Sequence, residues 1–164
     1  MIAIISDTHM PRGGRRLPDA CRERLAAAEA IVHAGDLCTL AVLEELRTLG
    51  PPVTAVHGNV DDAAVRAALP EAAMLSLGER RIAVLHDAGP AAGRLPRMRR
   101  RFPGVDAVVF GHSHLPLVET APDGAFAIVN PGSPTERRRA PTHTMALAEL
   151  DAAGGLRFEI VALD

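Results

Sequence analysis

The sequence contains no Lys, no Tyr and no Trp, and its only aromatic side chains are four Phe in 164 residues. All 18 basic residues are therefore Arg. Without Lys there is no Schiff-base nucleophile, no phosphate-loop lysine and no kinase lysine. Without Tyr there is no tyrosine nucleophile. An aromatic content of 2% leaves no stacking platforms for single-stranded nucleic acid and makes the core aliphatic. Two cysteines, Cys21 and Cys38, are too few for an all-thiolate zinc site or an iron–sulfur cluster, and they are not a CxxC pair. They read as free thiols of a reducing compartment. Long apolar runs are missing too. The opening run over 2–5 meets Ser6-Asp7 at once, too short for a signal peptide or a membrane span. A cytoplasmic protein is expected, with no membrane partner. Net charge is -2 and the pI about 6.4, which argues against duplex nucleic acid as a partner. The Lys-free, Ala-rich usage reads as a bacterial genome of high GC content.

What is present is a globular balance, 48% hydrophobic and 23% charged, of a length that fits one domain over 1–164. Short apolar runs at 2–5, 30–32, 53–56, 81–85 and 107–110 read as buried strands, each ending in a polar residue or a glycine. Helical patterns lie between them. One spans 18–28 behind Pro18, and one spans 40–49 behind Thr39 as N-cap. A third spans 63–69 behind Asp61-Asp62, and a fourth, 91–101, carries Pro96 in its middle. After residue 105 strands dominate, at 117–119, 125–129, 144–150 and 156–161, with turn signals at Asp123-Gly124 and Gly154-Gly155. βαβ units followed by antiparallel strands predict an α/β fold, a mixed pair of sheets with helices outside.

Ligands collect at the carboxyl ends of strands in such folds. Five of the predicted strands end in groups able to bind a metal. The first gives Asp7 and His9, the second Asp36, the third Asn59, the fourth His86, and the fifth His112 and His114. The pairs two residues apart are expected to share one face of an extended segment. Seven oxygen and nitrogen donors exceed what one ion takes from a protein, so two divalent ions are the economical reading. Donors without thiolate suit Mn²⁺, Fe²⁺, Zn²⁺ or Ni²⁺, with Mn²⁺ the leading expectation. Asp36, with two carboxylate oxygens, is the natural bridge. Two divalent ions with Asp7 and Asp36 leave a charge of about +2, which attracts an anionic phosphate and lowers the pKa of a shared water.

Asp7-Thr8-His9, Gly35-Asp36, Gly58-Asn59, His86 and Gly111-His112-Ser113-His114 resemble the calcineurin-like metallophosphoesterases. The small bacterial and archaeal phosphodiesterase branch, which shares the segment Asn130-Pro131-Gly132-Ser133, is the nearest in spacing. The resemblance covers essentially the whole chain. It implies a two-sheet sandwich flanked by helices. It also implies that Asp7, His9 and His114 hold one ion with Asp36, while Asn59, His86 and His112 hold the other with Asp36. The activity implied is hydrolysis of a small phosphodiester by a metal-bridging hydroxide. The alternative is a non-catalytic scaffold for partner proteins on the same fold. Dimers are common in the family, so a homodimer is an open expectation. Many members carry a His after the ligand Asn, which protonates the leaving group. Here Val60 stands in its place.

Blander readings apply to other residues. His33 and His57 are expected as satisfied, partly buried histidines, and His143 as structural. Asp61 is either the N-cap of the third helix or, beside the catalytic candidates Asp36, Asn59 and His112, a group that orients a ligand or a proton. Asp87 supports His86 or repels a dianionic monoester. Arg97, Arg99, Arg100 and Arg101 are expected on a solvated helix face. Arg137, Arg138 and Arg139 are either a surface loop or a contact for the substrate's far half. A two-metal site needs no protein nucleophile, so Cys38 is given no role.

Overall fold

A computed structural model describes all residues, 1–164. Ten strands and four helices follow in the order β1 (Ile2–Ile5), α1 (Asp19–Ala26), β2 (Ala30–His33), α2 (Leu40–Arg47), β3 (Val53–Ala55), α3 (Ala63–Ala68), β4 (Ala72–Leu77), β5 (Arg80–Leu85), α4 (Arg94–Arg101), β6 (Ala107–Val109), β7 (Leu117–Thr120), β8 (Ala127–Asn130), β9 (Thr144–Leu150) and β10 (Leu156–Ala162). They form two five-stranded sheets, in the orders β10-β9-β1-β2-β3 and β4-β5-β6-β8-β7. Both are mixed. β1, β2 and β3 run parallel, β9 pairs antiparallel with β1, and β10 pairs antiparallel with β9 at the edge. β5, β6 and β8 run parallel, with β4 and β7 antiparallel at the two edges.

Alternation of side chains along each strand builds the layers. Ile2 and Ile4 of β1 face Ile82 and Val84 of β5 and Val109 of β6 across the inter-sheet core. Ala3 and Ile5, on the other face of β1, pack with Cys21 and Leu25 of α1 and with Val42, Leu43 and Leu46 of α2. Ala83 and Leu85 of β5 turn outward to Met98 of α4, Phe110 and Phe126. The result is helices, sheet, sheet, helix, the flanked two-sheet sandwich expected. No helix is long and apolar enough to cross a membrane.

Four local expectations need correction. β4 was not among the predicted strands, because Ala72-Ala73-Met74 carries no β-branched residue. Its signal was the two-residue turn Gly78-Glu79, where Gly78 takes φ +57 and closes the β4–β5 hairpin. α4 begins at Arg94, not 91, so Pro96 falls in its first turn, where the missing N–H has no partner to lose. Thr39 occupies the N-cap position of α2 but makes no side-chain capping bond. α3 is capped by Asp62, whose carboxylate accepts from the Val65 N–H, and not by Asp61.

Arg97 also departs from expectation. It does not stand in solvent but donates to the carbonyl oxygens of Ala88, Pro90 and Ala92, tying down the loop before α4. Arg99 pairs with Asp123 and Arg101 with Glu71, while Arg100 is exposed. His143 pairs with the carboxylate of Asp164, a structural contact as expected.

Candidate metal centre

The parallel strands of both sheets end on the same side, and the loops that follow them carry the seven candidate ligands. The extended geometry expected for the paired ligands is not what brings them together. Asp7 (φ 57), His9 (φ 48), Asp36 (φ 61), His112 (φ 71) and His114 (φ 60) all take the left-handed conformation. Non-glycine residues there are uncommon, and each costs on the order of 1–3 kcal/mol that the surroundings must offset. The surroundings do so. Asp7 N–H donates to Gly35 O at 2.9 Å and His9 N–H to Asp36 O at 3.0 Å. Ser133 Oγ donates to Asp7 O at 2.8 Å, and Asn130 Nδ2 to Gly111 O at 2.8 Å.

The side chains then converge. Asp7 Oδ1 lies 3.4 Å from His114 Nε2 and 3.8 Å from His9 Nε2. Asp36 Oδ2 lies 3.4 Å from His9 Nε2 and 3.2 Å from His86 Nε2. Asn59 Oδ1 is 3.1 Å from His86 Nε2 and 3.0 Å from His112 Nδ1. All seven residues are thus brought together, in two groups joined by Asp36 Oδ2. One detail of the bridge differs from expectation. Asp36 Oδ1 is taken by the Val60 N–H at 2.9 Å, so a single oxygen, Oδ2, faces both groups. Asp7, His9, Asp36, His86 and His114 are buried, whereas Asn59 and His112 are exposed and form the open side.

The donor set fits a metal. Ligand atoms about 2.0–2.2 Å from one ion lie roughly 3.0–3.6 Å apart, close to the separations above. His9 Nε2 and His114 Nε2 are buried with no hydrogen-bond partner, a state that costs energy unless something binds them. His86 Nδ1 donates to Ala34 O at 2.8 Å, which leaves its Nε2 lone pair toward Asp36. Two motif glycines are required by close approach. A Cβ on Gly58 would collide with the backbone and carboxylate of Asp36, and one on Gly111 with Ser6 Oγ and the Asp7 carboxylate.

Burial lowers the His9 pKa, but the Asp36 and Asp7 carboxylates beside the ring outweigh it and raise it to about 9. Burial likewise opposes the rise at His86, which contact with Asp36 drives. Burial pushes the Asp36 carboxyl up, and the His86 and His9 rings beside it outweigh that, holding Asp36 well below the usual carboxylate range. Burial lowers His114, and it lowers His33 to about 3. His33 is the satisfied buried histidine expected, bonded to Thr8 Oγ1 and the Gly35 N–H.

Asp61 lies beneath this cluster. Its carboxylate accepts from the backbone N–H of Asp36 (3.1 Å), Cys38 (2.6 Å) and Gly58 (2.6 Å), so it ties the Asp36 loop to the Asn59 loop. Beside Asn59 and His86 opens a cavity of about 350 Å³, lined also by His57, Arg66, Glu71 and Asp87. Arg137 folds onto its own loop at Ala140 O, and Arg138 and Arg139 are exposed. Glu136 was missed entirely. It sits in a loop with no strand end to flag it, yet its Oε2 is 3.4 Å from His9 Nδ1.

Residues 1–153 match the family model of the calcineurin-like phosphoesterase superfamily domain. The chain belongs to this superfamily. Two archaeal proteins, both named "Probable metallophosphoesterase", are similar to it. That of Methanothermobacter thermautotrophicus is 32% identical over 151 residues, 90% of this chain and 84% of the relative. That of Methanocaldococcus jannaschii is 33% identical over 141 residues, 84% and 70% respectively. Both of these relatives are archaeal, and neither supports the bacterial source expected from composition. The wild-type Vps29 of Entamoeba histolytica, solved in complex with Zn²⁺, superposes with a TM-score of 0.76 over 99% of each chain at 23% identity, a likeness of fold.

Proposed function

We propose that the chain is a dinuclear metal-dependent phosphodiesterase. The observation that carries this reading is the pair of buried, unpartnered imidazole nitrogens of His9 and His114, set beside Asp7 and Asp36. Asp7, His9 and His114 would hold one ion, and Asn59, His86 and His112 the other, with Asp36 Oδ2 between them. When bound, two divalent ions, with Mn²⁺ the leading candidate, would supply an activated water and draw charge from a phosphoryl oxygen. The residues of the chain orient and balance. Asp7 and Asp36 bring two negative charges, leaving a centre that attracts a phosphodiester anion. His112 and Asn59 line the open side on which substrate arrives. Val60 serves through its backbone, donating to Asp36, and its side chain has no proton to give a leaving group.

The scaffold alternative does not require a metal-competent cluster, but it is compatible with one, so turnover is what separates the two readings. The deciding experiment is hydrolysis of bis(p-nitrophenyl) phosphate after chelation and again after adding Mn²⁺. Turnover is expected to vanish and return. Metal bound without turnover would favour the scaffold.

Two further results are expected. A general acid contributes roughly 10²–10⁴-fold, so with Val60 in place of His the rate depends steeply on leaving-group pKa. Aryl diesters are hydrolysed faster than alkyl diesters, and a flat rate across such a series would contradict this. Metal loading is also linked to pH. The raised His9 pKa stabilises the metal-free protein fully below about 6.5, and that contribution fades as pH rises through about 9. An ion must displace the His9 proton, so loading at pH 7 releases protons and apparent affinity climbs with pH toward 9. Calorimetry in buffers of different ionisation enthalpy checks this, and a buffer-independent heat would contradict it.

A further inference from the structure

We infer that Glu136 is a positioning residue that holds His9 and His114 from behind, an inference that rests on the metal-centre reading above. Its two functional groups meet the two histidines separately. The carboxylate oxygen Oε2 lies 3.4 Å from His9 Nδ1, and the backbone carbonyl oxygen accepts from His114 Nδ1. Both contacts are on the Nδ1 side of the rings, while both Nε2 atoms face Asp7. A neutral imidazole carries one ring proton. A partner at Nδ1 keeps the proton there and leaves the Nε2 lone pair free for an ion. A carboxylate in that position also makes the ring a stronger donor.

The carboxylate is itself held. Arg15 Nη2 donates to Glu136 Oε1 at 2.8 Å, and Arg15 Nη1 donates to Arg12 O at 2.8 Å. This gives a role to Arg12-Gly13-Gly14-Arg15, a glycine-rich stretch too short and too charged to cradle a dinucleotide. The loop bearing Glu136 is fixed to the Asp7 loop as well. Glu136 N–H donates to Ser133 Oγ, which donates to Asp7 O. The Arg15–Glu136 pair is half-buried and engages only Oε1. It would not account for an Oε2 atom that is buried without a hydrogen-bond partner. Its proximity to His9 does.

The test is calorimetric titration of the full chain with Mn²⁺ in wild type, E136A, E136Q and R15A, together with the His9 Nδ1 proton resonance in Zn²⁺-loaded protein. Wild type is expected to take two ions, and if it takes none the metal-centre reading fails, independently of Glu136. E136A is expected to weaken one ion about 10–100-fold while leaving the other near wild type, and to lose the Nδ1 resonance. E136Q, whose amide oxygen keeps a partial negative charge beside Nδ1, is expected to recover part of the affinity and the resonance. R15A is expected to weaken the same ion by less. Unchanged affinity in E136A, or equal weakening of both ions, would overturn the inference. Should E136A fail to fold, E136Q and R15A with wild-type affinities and an unchanged resonance would overturn it equally.

Discussion

Replacing Asp36 with Asn is expected to abolish tight binding of both ions, not one. Asp36 Oδ2 is within 3.4 Å of His9 Nε2 and within 3.2 Å of His86 Nε2, so it belongs to both groups of ligands. The amide keeps the size of the side chain and an oxygen able to accept the Val60 N–H, so the loop survives the change. What is lost is the negative charge that the proposed pair of cations would share. Groups that merely support a ligand typically cost 10–100-fold when removed. Loss of a shared ligand exceeds this, so affinity for each ion is expected to fall by more than about 100-fold, with phosphodiesterase activity falling in parallel. Truncating Asn59, by contrast, weakens mainly one ion. Titration calorimetry distinguishes the two patterns. An Asp36→Asn protein that still binds two ions at wild-type affinity would refute the bridge.

The second large effect concerns Asp61 and Asp62, adjacent carboxylates with unequal tasks. Asp61→Ala leaves three backbone N–H groups, those of Asp36, Cys38 and Gly58, without their acceptor. A buried unsatisfied donor costs about 1–3 kcal/mol. Allowing for water entry, the total is expected to reach about 3 kcal/mol, a fall in melting temperature of roughly 6–12 °C for a chain of this size. Asp62→Ala removes a helix cap, typically about 1 kcal/mol, or roughly 2–4 °C. Calorimetry of the two metal-free variants compares them. Equal losses would contradict the assignment of Asp61 as the tie between ligand loops.

That contrast also marks where sequence reasoning reaches its limit. Asp61-Asp62 ahead of a helix reads as a cap from spacing alone, and nothing local says which of the two turns inward. Strands rich in Ile and Val, such as β1, β5 and β6, were legible because burial on both faces leaves continuous apolar runs. β4, which begins Ala-Ala-Met at the edge of its sheet, was not. The candidate ligands were legible because each follows a strand, and strands that run parallel must deliver their ends to one side. The left-handed backbone at Asp7, His9, Asp36, His112 and His114 was not legible, since it is imposed by bonds from distant segments such as Ser133 to Asp7 O. Glu136 was hidden for the same reason. Its side chain meets Arg15 and His9, 121 and 127 residues away in sequence, while its backbone meets His114, 22 residues away.

The proposed paired-cation centre draws seven side chains from two sheets. Anomalous diffraction from crystals grown with Mn²⁺ measures it directly. Two peaks are expected, one among Asp7, His9 and His114 and one among Asn59, His86 and His112, with Asp36 Oδ2 reaching both. A single peak, or peaks away from these residues, would contradict it.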